Sequence, residues 1–133
     1  MERSILTTIK VRLPIEEECE DFDNEIIPLI NTQFLTLLAL GVGPKEGFRI
    51  EDDSTIWSDY FDKNSQVENP ELLLAYVEDY IYTKVKLVFD PPASTSVIEI
   101  FKANALELEN RIRDMVEVLI PNMNVSEEEV EDE

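Results

Sequence analysis

The sequence predicts an all-α domain: a small bundle of four to five helices with a long C-terminal helix, an irregular aromatic loop and a flexible acidic tail. Hydrophobic residues make up 44% of the 133 positions, which is enough for a core, and the three glycines are too few for a turn-rich sheet. Apolar residues recur every three or four positions along much of the chain, which is the spacing of one helical face. Two such segments over residues 70–119, separated by Asp90-Pro91-Pro92, predict a helical hairpin.

A short first helix is predicted over residues 3–13. Ser4 is a suitable N-cap, because its hydroxyl can accept a hydrogen bond from a free backbone N–H of the first turn. Pro14 ends the helix. The apolar stripe consists of Ile5, Leu6, Ile9 and Leu13.

The second helix is predicted over residues 23–40, after an acidic link that leads into it from residue 16. Asp21 or Asp23 is the expected N-cap, because carboxylates are favoured at the positive end of the helix dipole. Gly41 is the expected C-cap, because glycine tolerates the left-handed backbone that commonly ends a helix.

Residues 41–68 are predicted to be irregular, with a short helical turn capped by Ser54 and a possible short strand at residues 48–50. Long loops with aromatic residues often form interfaces. Alternatively, Trp57 and Phe61 cover the helical core, and the sequence leaves both alternatives open. The interface candidates are Phe48, Ile50, Ile56, Trp57, Tyr60 and Phe61.

The two helices of the hairpin carry long apolar stripes. In the first, the stripe is Leu73, Val77, Tyr80, Ile81, Lys84, Val85 and Val88. In the second, it is Val97, Phe101, Ala105, Leu108, Ile112, Met115 and Leu119. Ser96 and Glu99 have the spacing of a capping box that would begin the second helix, with Ser94 as the alternative cap.

The chain carries 30 acidic and 11 basic residues, a net charge of −19. This charge argues against a nucleic-acid binder, whose affinity depends on neutralising phosphates, and against docking on anionic membranes. Acidic residues are concentrated after residue 120, so we expect a helical domain over residues 1–120 and an acidic tail over 121–133 that is flexible until it docks.

Residue types that carry catalysis or bind cofactors are scarce. The chain has no histidine, no phosphate-binding loop and no dinucleotide fingerprint, so we expect neither an enzyme nor a cofactor site. Asp21, Asp23 and Glu25 have the spacing that begins a calcium loop. Ile26 stands where that loop requires glycine, so no metal site is expected either.

Several motifs, taken in their order and spacing, resemble the bacteriophage head-tail connector (adaptor) family. The longest is the run from Tyr80 to Pro92, followed by Ser94, Ser96 and the helix to Arg113. The others are Ile5-Leu6-Thr7-Thr8-Ile9-Lys10, Leu40-Gly41-Val42-Gly43-Pro44 with Gly47-Phe48, and Ile56-Trp57-Ser58-Asp59-Tyr60. Together they cover most of residues 2–115.

The resemblance implies a structural virion protein that forms a ring, expected to be a dodecamer, in the neck of a long-tailed phage. Its partners would be the portal protein, a tail-side neck protein (a head-closure or stopper protein) and double-stranded DNA that passes through the lumen without specific binding. It would be found in the host cytoplasm during assembly. No membrane partner is implied.

The resemblance also suggests surfaces for these contacts. The aromatic loop, residues 48–61, would form one ring contact. Lys102, Arg111 and Arg113 on the final helix would form another. The C-terminal segment would reach the portal through Pro121, Met123, Val125 and Val130.

A second hypothesis explains the charge equally well: an acidic DNA mimic or regulatory protein that occupies the nucleic-acid site of a basic partner. This hypothesis does not account for the long hairpin or the aromatic loop.

Overall fold

The computed structural model describes residues 1–63 and 66–120, and its regular structure there is helical. The helices are α1 (Ile5–Arg12), α2 (Asp23–Ala39), α3 (Trp57–Asp62), α4 (Leu74–Phe89) and α5 (Thr95–Leu119), with a 3₁₀ helix at Pro70–Leu73 before α4. Within the described ranges there is no strand, and one isolated antiparallel bridge joins Ser4 to Ile56. The predicted all-α class with a long C-terminal helix is confirmed.

Helix α1 begins as its sequence predicts. The Thr7 amide donates to Ser4 Oγ at 3.1 Å, which confirms Ser4 as the N-cap. At the other end, the Leu13 amide donates to the Ile9 carbonyl at 3.0 Å. Arg12 is the last residue of the helix and Leu13 is its C-cap, directly before Pro14.

Helix α2 begins without a side-chain cap, and Phe22 occupies the N-cap position. The prediction that Asp21 or Asp23 caps it was wrong. The reason lies in α1: Asp23 Oδ1 lies 3.0 Å from Nζ of the buried Lys10, so this carboxylate pairs with a cation instead of the helix end.

The end of α2 is a Schellman motif. The Gly41 amide donates to the Leu38 carbonyl at 3.0 Å, and the Val42 amide donates to the Leu37 carbonyl at 2.9 Å. Gly41 has a φ of +103°, a conformation that glycine adopts without steric cost. The predicted C-cap is confirmed.

The loop after α2 differs from prediction at two places. Residues 48–50 form no strand, because Asn31 binds both backbone groups of Ile50: the Ile50 amide donates to Oδ1 at 2.8 Å, and Nδ2 donates to its carbonyl at 3.0 Å. Helix α3 begins at Trp57 rather than at Ser54, which donates instead to the Asp52 carboxylate.

The hairpin of α4 and α5 is confirmed. Ser94, the alternative cap, occupies the N-cap position of α5, although its side chain makes no capping hydrogen bond. The expected capping box of Ser96 and Glu99 does not form, and Glu99 lies 3.9 Å from Lys102 instead.

Helix α4 is the centre of the bundle and packs against α1, α2 and α5. Its buried side chains are Val77, Tyr80, Ile81, Thr83 and Val85. They meet Ile26, Ile30, Phe34 and Leu37 of α2 and Ala105, Ile112 and Val116 of α5 in one core. No helix among the described residues is both long and apolar enough to cross a membrane.

Candidate assembly surface

Most of the predicted aromatic interface lies inside the molecule. Ile50, Trp57, Tyr60 and Phe61 are each at most 2% exposed and belong to the core. These four side chains therefore cover the helical bundle, which is the second alternative that the sequence left open. Phe48 and Ile56 are half-buried, and of the six candidates they alone retain appreciable surface.

The N-terminal segment holds the aromatic loop against the bundle. The Trp57 amide donates to the Arg3 carbonyl at 3.1 Å, and the Ser58 amide donates to the Met1 carbonyl at 2.9 Å. The indole Nε1 of Trp57 donates to Thr8 Oγ1 at 3.2 Å. Because both the backbone and the buried indole are satisfied in this way, the loop has a fixed position.

Tyr60 lies at the centre of a cluster of rings. Its ring centroid is 4.7 Å from that of Phe34, 5.0 Å from that of Phe48 and 5.0 Å from that of Phe61. Its buried hydroxyl has no hydrogen-bond partner among the described residues, and burial raises the pKa of Tyr60. Phe48 thus has one face in the core and leaves the other near the surface.

The three predicted cations of α5 are bound to residues of their own helix. Lys102 Nζ lies 3.9 Å from Glu99, Arg111 pairs with Glu107, and Arg113 Nη1 donates to Asn110 Oδ1 at 3.0 Å. The hydrogen bond to Glu107 raises the pKa of Arg111. Exposed pairs of this kind contribute little to stability, so a partner could displace them easily.

The end of the hairpin exposes apolar side chains that the sequence analysis had assigned to the core. None of residues 86–104, which we call the hairpin tip, is buried. Val88 is 66% exposed, Val97 38% and Ile100 57%. The placing of Val88 and Val97 on the core stripe was therefore wrong.

Helix lengths explain why the tip is uncovered, and they are a signal that the sequence contained. Helix α5 has 25 residues and α2 has 17, so at about 1.5 Å per residue α5 is roughly 12 Å longer. Since α4 and α5 pair with each other here, for example through the rings of Tyr82 and Phe101 at 6.4 Å, a third helix would be needed to bury their remaining apolar surface.

A groove of about 520 Å³, which we call the α2 groove, runs between α2 and the loop at residues 46–49. Its apolar lining comprises Ile27, Pro28, Leu35 and Phe48, with Glu46 and Arg49 among its polar residues. Leu35 is 64% exposed. The apolar spacing of α2 predicted that Leu35 widens the buried face of the helix, and its exposure shows that this placement was wrong. Phe48 was among the predicted interface residues.

A second groove, of about 410 Å³, lies along α4 and α5 beside the end of α1. Its two arginines are already paired. Arg12 Nη1 lies 2.7 Å from Asp79 Oδ1, with its guanidinium carbon 4.1 Å from the ring centroid of Tyr82, and Arg111 pairs with Glu107. This groove offers no unpaired charge for an ionic ligand.

Two other predictions concern a metal site and the acidic tail. Among residues 1–63 and 66–120, no group of three or more carboxylate or cysteine side chains could hold a metal ion. The proposed portal contacts Pro121, Met123, Val125 and Val130 lie outside the described residues.

A protein-family model described as "Phage connector protein" matches residues 5–118 of the chain. Comparisons with curated proteins and with solved structures gave no significant match.

Proposed function

The chain belongs to the phage connector protein family, and on this premise we propose that it is a subunit of a ring between the portal and the tail of a long-tailed phage. The family match over residues 5–118 carries this proposal, because it includes every helix of the bundle almost to the end of α5. The absence of histidine from the sequence accords with a structural rather than a catalytic role.

A closed ring requires two different complementary patches on each subunit. We assign one patch to α5 and the hairpin tip, where Val97 and Ile100 would supply apolar contact and Lys102, Arg111 and Arg113 would meet carboxylates of the neighbour. The exposed edge of the aromatic loop at Phe48 and Ile56 is the second. This assignment is supported by the exposure of the tip, because large apolar side chains clustered at a surface commonly mark an interface.

The proposed ring, a dodecamer, encloses DNA and connects the portal protein to a tail-side neck protein. A net charge of −19 per subunit supports a lumen that repels phosphates and leaves the DNA free to move. In this arrangement Pro121, Met123, Val125 and Val130 contact the portal, and the protein is located in the virion neck after assembly in the host cytoplasm.

The decisive experiment is imaging of the neck of assembled particles, with this chain located in the density. We expect a ring of copies directly below the portal. Its absence from mature particles would overturn the proposal.

The alternative, an acidic DNA mimic, is favoured only by the net charge. A mimic would compete with DNA for a basic partner and would not bind the portal. Mixing the purified chain with portal protein, followed by size analysis, separates the two functions.

A further inference from the structure

The α2 groove is an apolar surface that no described residue covers. Leu35 is 64% exposed at its rim, and Phe48 contributes the half of its ring that the core does not bury. Burying such groups against another apolar surface is favourable. The groove is therefore suited to a segment that carries apolar side chains.

Positive charge is concentrated around this groove, although the chain is strongly acidic. In residues 1–63 and 66–120, six of the eleven basic residues form ion pairs with carboxylates. Lys45, Arg49 and Lys63 are not among those six. Lys45 and Arg49 are exposed on either side of the loop at residues 46–48, and Lys63 Nζ lies 5.9 Å from the ring centroid of Phe48. Among the lining residues Arg49 and Glu46 balance each other, and Lys45 and Lys63 beside the lining supply the excess positive charge that favours an acidic ligand.

The chain leaves the described structure close to this groove. A Cβ at Gly41 would lie 2.9 Å from Val116 Cγ1, so the last turn of α5 contacts the end of α2. At about 1.5 Å per residue along α2, Leu35 is roughly 9 Å from Gly41 and Pro28 roughly 20 Å. The thirteen residues 121–133 can extend about 43 Å, which is more than enough to reach the whole groove.

The composition of residues 121–133 matches the groove. Met123 and Val125 alternate with polar positions, Val130 follows four polar residues, and the segment contains no lysine or arginine. Its carboxylates are Glu127, Glu128, Glu129, Glu131, Asp132 and Glu133. We propose that, in the free subunit, residues 121–133 bind in the α2 groove of the same chain, with their apolar side chains on Leu35 and Phe48 and their carboxylates beside Lys45, Arg49 and Lys63.

This inference concerns the free subunit and does not require the proposed place in the neck.

The test uses paramagnetic relaxation in the full chain. Cys19→Ser removes the native thiol, Ser126→Cys provides a site for a nitroxide, and the isotope-labelled protein is measured at low concentration. We expect the NMR signals of the backbone amides of Leu35, Gly47 and Phe48 to lose most of their intensity. The intensity should recover at about 1 M salt, because the Debye length there is about 3 Å and the attraction between the charges is screened.

Charge reversal provides the matched comparison. K45E/R49E should restore the lost intensity, whereas R3E, which reverses an exposed cation that does not line the groove, should leave the loss unchanged. The inference would be overturned if the spin-labelled protein without charge reversal kept the full intensity of these amide signals. It would also be overturned if the loss of intensity persisted in K45E/R49E. Isotope-labelled chains without nitroxide are also mixed with unlabelled spin-labelled chains. A comparable loss of intensity in that mixture would assign the groove to a second copy and overturn binding within one chain.

Discussion

At the scale of single residues, Lys10 organises the acidic link between α1 and α2. The side chain is 3% exposed, and Nζ donates to the Cys19 carbonyl at 2.6 Å and to the Glu17 carbonyl at 3.2 Å, beside Asp23 Oδ1 at 3.0 Å. A buried cation is tolerated only with such partners. Lys10 thus fixes the acidic link, which would otherwise be kept extended by repulsion among its own carboxylates.

Lys10→Met should lower the free energy of unfolding by about 2–4 kcal/mol, because it leaves the Asp23 carboxylate and two carbonyls without their cation. Urea unfolding measures the change. Lys102→Met is the control, since its exposed pair with Glu99 is worth no more than about 0.5 kcal/mol. Equal losses in the two variants would contradict the anchoring role.

Two buried tyrosines make stability depend on alkaline pH. Burial raises the pKa of Tyr60, and burial together with a 2.7 Å hydrogen bond to Glu109 raises the pKa of Tyr80. Above the ordinary tyrosine pKa of about 10, the unfolded chain releases these protons while the folded chain keeps them.

The free energy of unfolding should therefore fall as pH rises above about 10, by up to about 1.4 kcal/mol per pH unit for each tyrosine. In the variant Y60F/Y80F the decline should be shallower, while deprotonation of lysines affects both proteins alike. Urea unfolding at several alkaline pH values tests this. Parallel declines in the two proteins would show that neither hydroxyl contributes.

At the scale of elements, the contact between the ends of α2 and α5 depends on a glycine. Gly41 has a φ of +103° and lies where a Cβ would be 2.9 Å from Val116 Cγ1. Gly47 has a similar φ of +95° but no atom within 4 Å of the corresponding Cβ position. Substituting each glycine by alanine therefore distinguishes the cost of backbone strain alone from the cost of strain together with steric crowding.

Gly47→Ala should cost about 1–2 kcal/mol, because alanine adopts a positive φ with strain alone. Gly41→Ala should cost about 1–2 kcal/mol more, since Val116 must also move. Thermal or urea unfolding of the two variants gives the difference. Equal losses of unfolding free energy in the two variants would contradict the close contact between Gly41 and Val116.

At the scale of the whole molecule, the bundle divides into a covered body and an exposed tip. The body contains the buried aromatic loop, and none of residues 86–104 in the tip is buried. Substitutions of the exposed residues in the tip should consequently affect assembly and leave folding almost unchanged.

Val97→Asp combined with Ile100→Asp should change the free energy of unfolding by less than about 1 kcal/mol, because both residues are already exposed. The same protein should fail to support formation of tailed particles when it replaces the wild type, because charge enters the proposed ring contact. Val11→Asp, at an α1 position that is 58% exposed, serves as the matched control. Normal particle yield from the tip variant would remove the tip from the interface.

The sequence by itself determined the helices and several of their ends. Apolar spacing at 3.6 residues per turn, Ser4 as a cap, Gly41 as a left-handed terminus and the stop at Asp90-Pro91-Pro92 depend on neighbours within one or two turns. Such local signals can be identified without knowledge of the fold. The motifs that carry the family resemblance are likewise properties of the sequence, and the family match confirms them.

Only the tertiary structure decided which apolar residues are covered. Trp57 and Phe61 are buried because the N-terminal segment, about fifty residues earlier in the sequence, pairs with their loop. Val97 is exposed at the tip, which α2 reaches at Phe89 through Phe22. Asp23 pairs with Lys10 rather than capping α2 for the same kind of reason. Burial and pairing depend on partners that are distant in the chain, and a periodic pattern shows that a face is apolar without showing what lies opposite it.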